Sequence, residues 1–576
     1  MLRRVLFIAS AISIALLTLA SNPVKVSELN WNKAGNNNFF FNQKIINFQN
    51  QYDCNFTGKG FNDLVLQQAI EDLGDEGGVI FLKTGVYLFN QPIHIPSNVL
   101  LKGEGANTVL TFDMLEEKDA IVFNGSLSNE RVELSRNVKK GESIIFIKNS
   151  NNLQEGDLIK IWLPESELTT SDWAKGSIAQ IVKIKAINGN TIELENSLRI
   201  NLGVNETKIA KVNSVKNAGI ACLQIIRTDE TTNQTSNIIF NYAENCFVKG
   251  VESDYSNFAH VEINNSYKVQ VSGSFFRFGH NYGRGGKAYG VVLQFGSSDC
   301  LVENNIFLTL RHSILLQAGS NGNVIAYNYS KNPKWTGETL PEDAAGDIVL
   351  HGNYPFANLF EGNIVQNIVV DASHGKNGPE NVFLKNTAEH YGLLINPEAA
   401  DSQIIIDNKI PNKTFLLGNY LVFGEGHYEF GNKVRNKFIP ANTEQSEYTS
   451  FCNRADKYTG IKEYRISAEA RYAVKDFTEC GTEDYLPDDP NQNATYNSID
   501  DYSLNQINLY PNPTSEILNI DYSGNVRVTV YNIEGKITLI TNVKVINVQE
   551  WNKGTYYFRV EDVESRLTTY EKVLVN

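Results

Sequence analysis

The sequence predicts an all-β fold, a parallel β-helix, and three observations carry that expectation. Residues 291–307 read VVLQFGSSDCLVENNIF, residues 314–330 read ILLQAGSNGNVIAYNYS and residues 348–364 read IVLHGNYPFANLFEGNI, while VFLK at 382–385 opens a fourth copy. Each copy has a short β-branched run, a turn and a second short strand that closes on Asn305, Asn328 or Asn363. No copy carries a helical period. Copies of this length, joined by extended turns, stack as coils of a solenoid, with equivalent positions about 4.8 Å apart. The register therefore predicts neighbours directly.

The chain has 576 residues and a formal charge of −14, which argues against nucleic acid as a partner and leaves a polyanion dependent on a local positive patch. Arg3 and Arg4 precede an apolar run that ends in Ala20-Ser21, the pattern of a secretory signal peptide over residues 1–21. No later segment is long and apolar enough to span a membrane, so the mature protein is expected to be exported. Of the six cysteines, Cys452 and Cys480 are the preferred disulfide pair, and none has zinc-ligand spacing.

Residues 22–129 form an N-terminal cap and the first coils. Asn62 or Asp63 opens a helix whose Leu64, Leu66, Ala69, Ile70 and Leu73 suit one buried face, and Gly77-Gly78 ends it. Strands follow at 79–82, 85–89 and 98–102. This stretch resembles the N-terminal segment of the pectate-lyase superfamily, including its rhamnogalacturonase/epimerase-like members, with Phe61-Asn62 and Lys83-Thr84 departing from the usual residues. The resemblance implies a right-handed β-helix with a capping helix over its open end. Residues 130–212 break the rhythm with alternating strands around Gly156-Asp157 and Asn188-Gly189, and predict a small antiparallel β insertion. Coils resume within 213–438. Residues 439–487 read as a C-terminal cover, and the Asn/Asp-rich 488–506 as a linker.

Residues 507–576 alternate again and suggest a small β-sandwich. Tyr510-Pro511-Asn512-Pro513, Gly535-Lys536 and Gly554-Thr555-Tyr556 resemble the C-terminal sorting domain of the type IX secretion system. That resemblance implies a Bacteroidetes-type outer membrane, the type IX machinery as partner, and export to the cell surface or medium.

The register places Gln294, Gln317, His351 and Lys385 in one outward column, with Gly290, Ser313, Asp347 and Asn381 completing the face. Connections at 276–289, 308–312, 331–346 and 365–380 are expected to leave one corner and wall a groove over it. Six of the eight histidines lie between His260 and His390. Candidate catalytic residues are His351, Lys385, Asp347, His312 and Glu380. Candidate substrate-binding residues are Gln294, Gln317, Arg311, Arg284, Lys287, His374, Lys376, Trp335 and Tyr354. No cofactor is required by these residues. Calcium is the one metal left open, without an acidic cluster to support it.

Such a set suits β-elimination from an anionic, uronate-containing polysaccharide: His351 or Lys385 as base, a Tyr or His as acid, and Gln317 with Arg311 or Arg284 quieting the carboxylate. The alternative is glycoside hydrolysis with Asp347 and Glu380 as paired carboxyls. A second alternative is a non-catalytic glycan-binding or adhesion protein on the same scaffold.

Overall fold

In the computed structural model, residues 31–35, 44–149, 152–338, 340–448, 450–452, 508–532, 537–563 and 568–576 are described. The expected signal peptide, most of the C-terminal cover, Cys480, the linker and Gly535-Lys536 lie outside them.

Three strand stacks run along a parallel β-helix. Leu301–Glu303, Ile306–Leu308 and His312–Leu316 make up one coil. The first stack is a 12-stranded sheet from Ile45–Asn47 to Tyr428–Phe430, and the other two belong to a 21-stranded sheet. Registers repeat from coil to coil in the third stack: Val291 pairs with Ile314, Ile314 with Ile348 and Ile348 with Ile368. These aliphatics and their partners Leu293, Leu316, Leu350 and Val370 are at most 1% exposed. Each such burial is worth about 1.5–3 kcal/mol, so the β-branched runs hold the tower together.

The corner between the first and second stacks is an asparagine ladder. Asn328 donates its backbone N–H and its amide Nδ2 to Asn363 Oδ1, each at 3.0 Å. Asn363 does the same to Asn386 at 3.0 and 2.8 Å, and Asn386 to Asn408 at 3.0 Å. The remaining amide hydrogen of each goes to a carbonyl, as from Asn363 to Ile325 O at 2.8 Å. A buried asparagine with all these groups paired satisfies a turn that water cannot reach.

The cap helix spans Asp63–Leu73 and buries Leu66, Ala69, Ile70 and Leu73. Leu64 departs from the expected face and is 86% exposed, because it lies on the side of the helix opposite Leu66, Ala69 and Leu73. Asn62 holds the N-cap position without a side-chain cap bond; its Oδ1 accepts from Asn55 N instead.

The insertion is a six-stranded antiparallel sheet containing Ile144–Phe146, Leu158–Trp162, Ala179–Asn188, Thr191–Leu194 and Lys208–Asn213, with Ser126–Leu127 at its edge. It has its own core of Ile145, Ile159, Ile161, Val182, Ile184 and Ile209. It also leans on later coils. Arg199 is ion-paired with Asp299 and donates to Asn321 Oδ1 at 3.0 Å, and Ile181 N donates to Ser298 Oγ at 3.1 Å. The tail has two antiparallel sheets around Leu518, Val528, Val530, Phe558 and Val573.

Candidate functional site

Gln294, Gln317 and His351 stand shoulder to shoulder at the ends of consecutive third-stack strands, since Leu293, Leu316 and Leu350 are partners. The next partner is Val370, so the fourth member of the column is Asp371, not Lys385. Lys385 follows Val382–Leu384, which belongs to the first stack, and has a left-handed φ of 55°. It shares the turn corner with Asn304, Tyr327 and Asp407 at φ of 55°, 53° and 55°. The error has a simple origin. Ile364–His374 runs unbroken through the second and third stacks, so no long loop leaves the shared corner in that coil. The Gly-rich residues 375–380 instead follow the third stack.

The column is not open to solvent along its length. Gln294 and Gln317 are buried and chained together: Gln317 Nε2 donates to Gln294 Oε1 at 2.6 Å, and Gln294 Nε2 to Glu262 Oε1 at 3.0 Å. Burial raises the Glu262 carboxyl, although Asn264 Nδ2 and Ser236 Oγ also donate to it. At the other end His351 and Asp371 form a dyad, with His351 Nδ1 2.9 Å from Asp371 Oδ2. The carboxylate takes the Nδ1–H, so when the ring is neutral its lone pair lies on Nε2. Burial pulls the Asp371 carboxyl up, but the hydrogen bond and charge of His351 and the Ser373 N–H outweigh it and hold it below the ordinary value.

Three imidazoles gather here. His312 and His351 have ring centroids 5.9 Å apart, and His351 and His374 are 5.0 Å apart. Beneath them lie Val292 and Leu315, packed with Phe258 and Tyr289. His312 Nδ1 donates to Gly346 O at 2.7 Å, and burial, then Arg311 and His351, depress its pKa to about 3. Burial and the charge of His351 also lower His374, whose Nδ1 is 3.5 Å from Ser171 Oγ of the insertion. Tyr289 packs on His312 at 5.0 Å, and burial raises its phenol, keeping it protonated. The cluster thus sets a carboxylate-oriented imidazole near a protonated phenol, beside an apolar patch.

The remaining candidates fall around this cluster or outside it. Arg311 Nη1 donates to Gly283 O at 2.8 Å and also to Gly285 O, clamping both sides of the exposed Arg284. Lys287 is half-buried in the same loop. Trp335 is 8% exposed with Arg311 4.4 Å over its ring, so that face braces the loop and is closed to a sugar. Tyr354 sits at the following corner against Phe356, with φ of 65°. Lys376 pairs with Asp401, and Glu380 with Lys140 of the insertion.

Asp347 is not in the groove. It is 1% exposed; its Oδ1 accepts from Ser330 Oγ, and its Oδ2 from Gln366 N at 3.0 Å and Asn367 N at 2.7 Å. Burial pushes this carboxyl up to about 6 despite those donors. Ser313 Oγ meets Ser330 Oγ at 2.7 Å, and Asn381 lies in a second buried amide ladder with Asn358 and Gln403. That face turns inward at the corner instead of completing the outward column. Asp347 precedes a third-stack strand and Glu380 a first-stack strand, so they cannot flank one glycosidic bond as a pair. Among the described residues no group of three or more His, Cys, Asp or Glu is arranged to hold a metal ion.

The sequence reading missed Asp371, Tyr289 and Glu262. For Asp371 the signal was present: IVVD at 368–371 aligns with IVLH at 348–351 without any gap in strand pattern.

Buried histidines make stability pH-dependent. His260 is fully buried, accepts from Ser253 Oγ at 2.8 Å and donates to Phe278 O at 3.0 Å; burial lowers its pKa from 6.5 to about 4. Below pH 6.5 the unfolded chain binds protons that folded His260 and His312 refuse, so stability falls as pH drops toward 4. His280 and His374, also lowered by burial, add to the loss, while Asp347, Glu262 and Asp119, whose carboxyls burial raises, act in the opposite sense at the acid end. Thermal melts should show a falling midpoint between pH 6.5 and 4.5, with a shallower slope in His260→Gln. Equal slopes would remove His260 as a cause.

Residues 508–576 match the family described as the secretion system C-terminal sorting domain. The chain ends in a secretion sorting domain. This sorting domain indicates export by the type IX system to the cell surface or the medium. No helix among the described residues is long and apolar enough to cross a membrane. No curated protein sequence matches the chain. Among solved structures, the tailspike protein gp49 of Pseudomonas phage LKA1 is 18% identical, with a TM-score of 0.46, over 60% of this chain and 56% of the tailspike. The chain therefore spans little more than half the length of that protein. An exopolygalacturonase of Thermotoga maritima is 12% identical over 72% of this chain and 98% of its own, with a TM-score of 0.39. PfbA, a surface adhesin of Streptococcus pneumoniae, is 12% identical over 68% and 88%, with a TM-score of 0.34.

Proposed function

We propose that the protein is an exported polysaccharide lyase acting on a uronate-containing glycan. The observation that carries this reading is the His351–Asp371 dyad, set beside a protonated Tyr289 over an apolar floor. In β-elimination, His351 Nε2 takes the proton from C5 of the uronate. The C5–H electrons form the C4=C5 double bond, the C4–O bond breaks, and the leaving oxygen takes its proton from Tyr289. Asp371 stabilises the imidazolium that forms, as a buried carboxylate does for a neighbouring histidine. The positive charge that quiets the uronate carboxylate comes from Arg284 and Lys287, on the loop that Arg311 clamps.

Hydrolysis by paired carboxyls is less well supported, because Asp347 and Glu380 stand at different corners. The test is to digest oligouronates and record both absorbance of the unsaturated product and reducing ends. A lyase gives both signals in step, a hydrolase only reducing ends, and either hydrolysis or no reaction would overturn the assignment. Deleting the sorting domain, residues 508–576, is expected to keep the protein behind the outer membrane in the native host, read by fractionation and immunoblot. Secretion of the truncated chain would contradict that role.

A further inference from the structure

We infer that the insertion supplies a sugar-stacking subsite, centred on Trp173, at the His374 end of the groove. This rests on the glycan reading above and deepens it. The insertion is seated on the coils that bear the site. Thr170 N donates to Asn353 Oδ1 at 2.9 Å, and Ser171 N to the same oxygen at 3.3 Å. Beside this seat, Gly375 lies so close to Thr170 that a Cβ there would come within 2.5 Å of the threonine methyl. Thr170 and Ser171 lead directly into the short turn Asp172–Ala174, which carries Trp173.

The indole stands perpendicular to two rings of the coils: His374 at 5.2 Å and 89°, and Phe295 at 5.9 Å and 89°. Two perpendicular contacts fix the plane of the indole while leaving it 44% exposed. A large aromatic held rigid and open costs hydrophobic free energy that the fold does not recover internally. Trp162, the neighbouring tryptophan of the insertion, is 8% exposed. The ring sequence Trp173, His374, His351 then leads in steps of 5.2 and 5.0 Å from the exposed indole to the proposed base. An aromatic face in this place fits the C–H face of a pyranose next to the one that reacts. Trp335 cannot do this, because Arg311 covers it.

The assignment makes Trp173 a binding residue, which acts on affinity more than on the chemical step. Trp173→Ala is expected to raise KM about tenfold with kcat within about twofold of the parent, and Trp173→Phe to retain most of the affinity. A second readout separates binding from turnover: calorimetric titration of oligouronates into His351→Ala, with and without Trp173→Ala. An approximately tenfold weaker Kd in the double variant supports the subsite. Equal Kd values in the two, or a loss of kcat at unchanged KM, overturn it. If His351→Ala binds no oligouronate and the parent turns none over, the glycan reading itself fails and the subsite falls with it.

Discussion

His351→Ala is expected to lower kcat by about 10²–10⁴-fold, the range that loss of a positioned general base produces. The melting temperature should fall by a few degrees, because the ring is 13% exposed between His312 and His374 and its loss leaves the Asp371 carboxylate without its partner, but the fold should persist. Asp371→Asn should keep the geometry but lose the charge that fixes the tautomer and steadies the imidazolium, with kcat reduced about 10–100-fold. Lys385→Ala should retain full kcat, since its turn corner is in another sheet. Initial rates of product absorbance, with circular dichroism to confirm folding, decide all three. Full activity in His351→Ala, or a dead Lys385→Ala that is folded, would dismantle the proposed base.

Asn363→Ala should be the most damaging single change to the coils, by about 3–5 kcal/mol. Asn363 Oδ1 accepts from Asn328 N and Nδ2, and its own amide serves Ile325 O and Asn386 Oδ1. Truncation would strip Asn328 N and Ile325 O of these bonds, each at a cost of about 1–3 kcal/mol, and would open a hole in the ladder, while Asn328 Nδ2 keeps Val302 O and Asn386 Oδ1 keeps the Asn363 N–H. Asn363→Asp restores only the acceptor and should recover part of the loss. Urea denaturation of the three proteins measures this, and a loss under about 1 kcal/mol would show that the ladder is decorative.

The coil architecture was legible because stacked apolar positions leave a periodic trace, and VVLQ, ILLQ and IVLH align by eye. Three of the four column members follow from that alone. The fourth was misassigned because the first and third stacks use the same short β-branched vocabulary. VFLK and IVVD both fit the pattern, and only hydrogen-bond partners separate them. Asp347 looked outward by strict alternation, but the backbone turns at that corner and the carboxyl is spent on Ser330, Gln366 and Asn367. The role of the insertion was illegible for a different reason. Its contacts with the site join residues more than a hundred positions apart, such as Thr170 with Asn353, and no periodicity records such a meeting.

Those same contacts order the events of maturation. Synthesis delivers the chain from its N-terminus, so residues 130–212 emerge before the coils around Asp299, Asn321 and Asn353 that receive them. The insertion has a core of its own and can fold while it waits. The wall is therefore made before the floor, and the cleft exists only once the later rungs have been laid down. The groove should accordingly take shape late and in one step, after the long-range contacts between insertion and coils have formed.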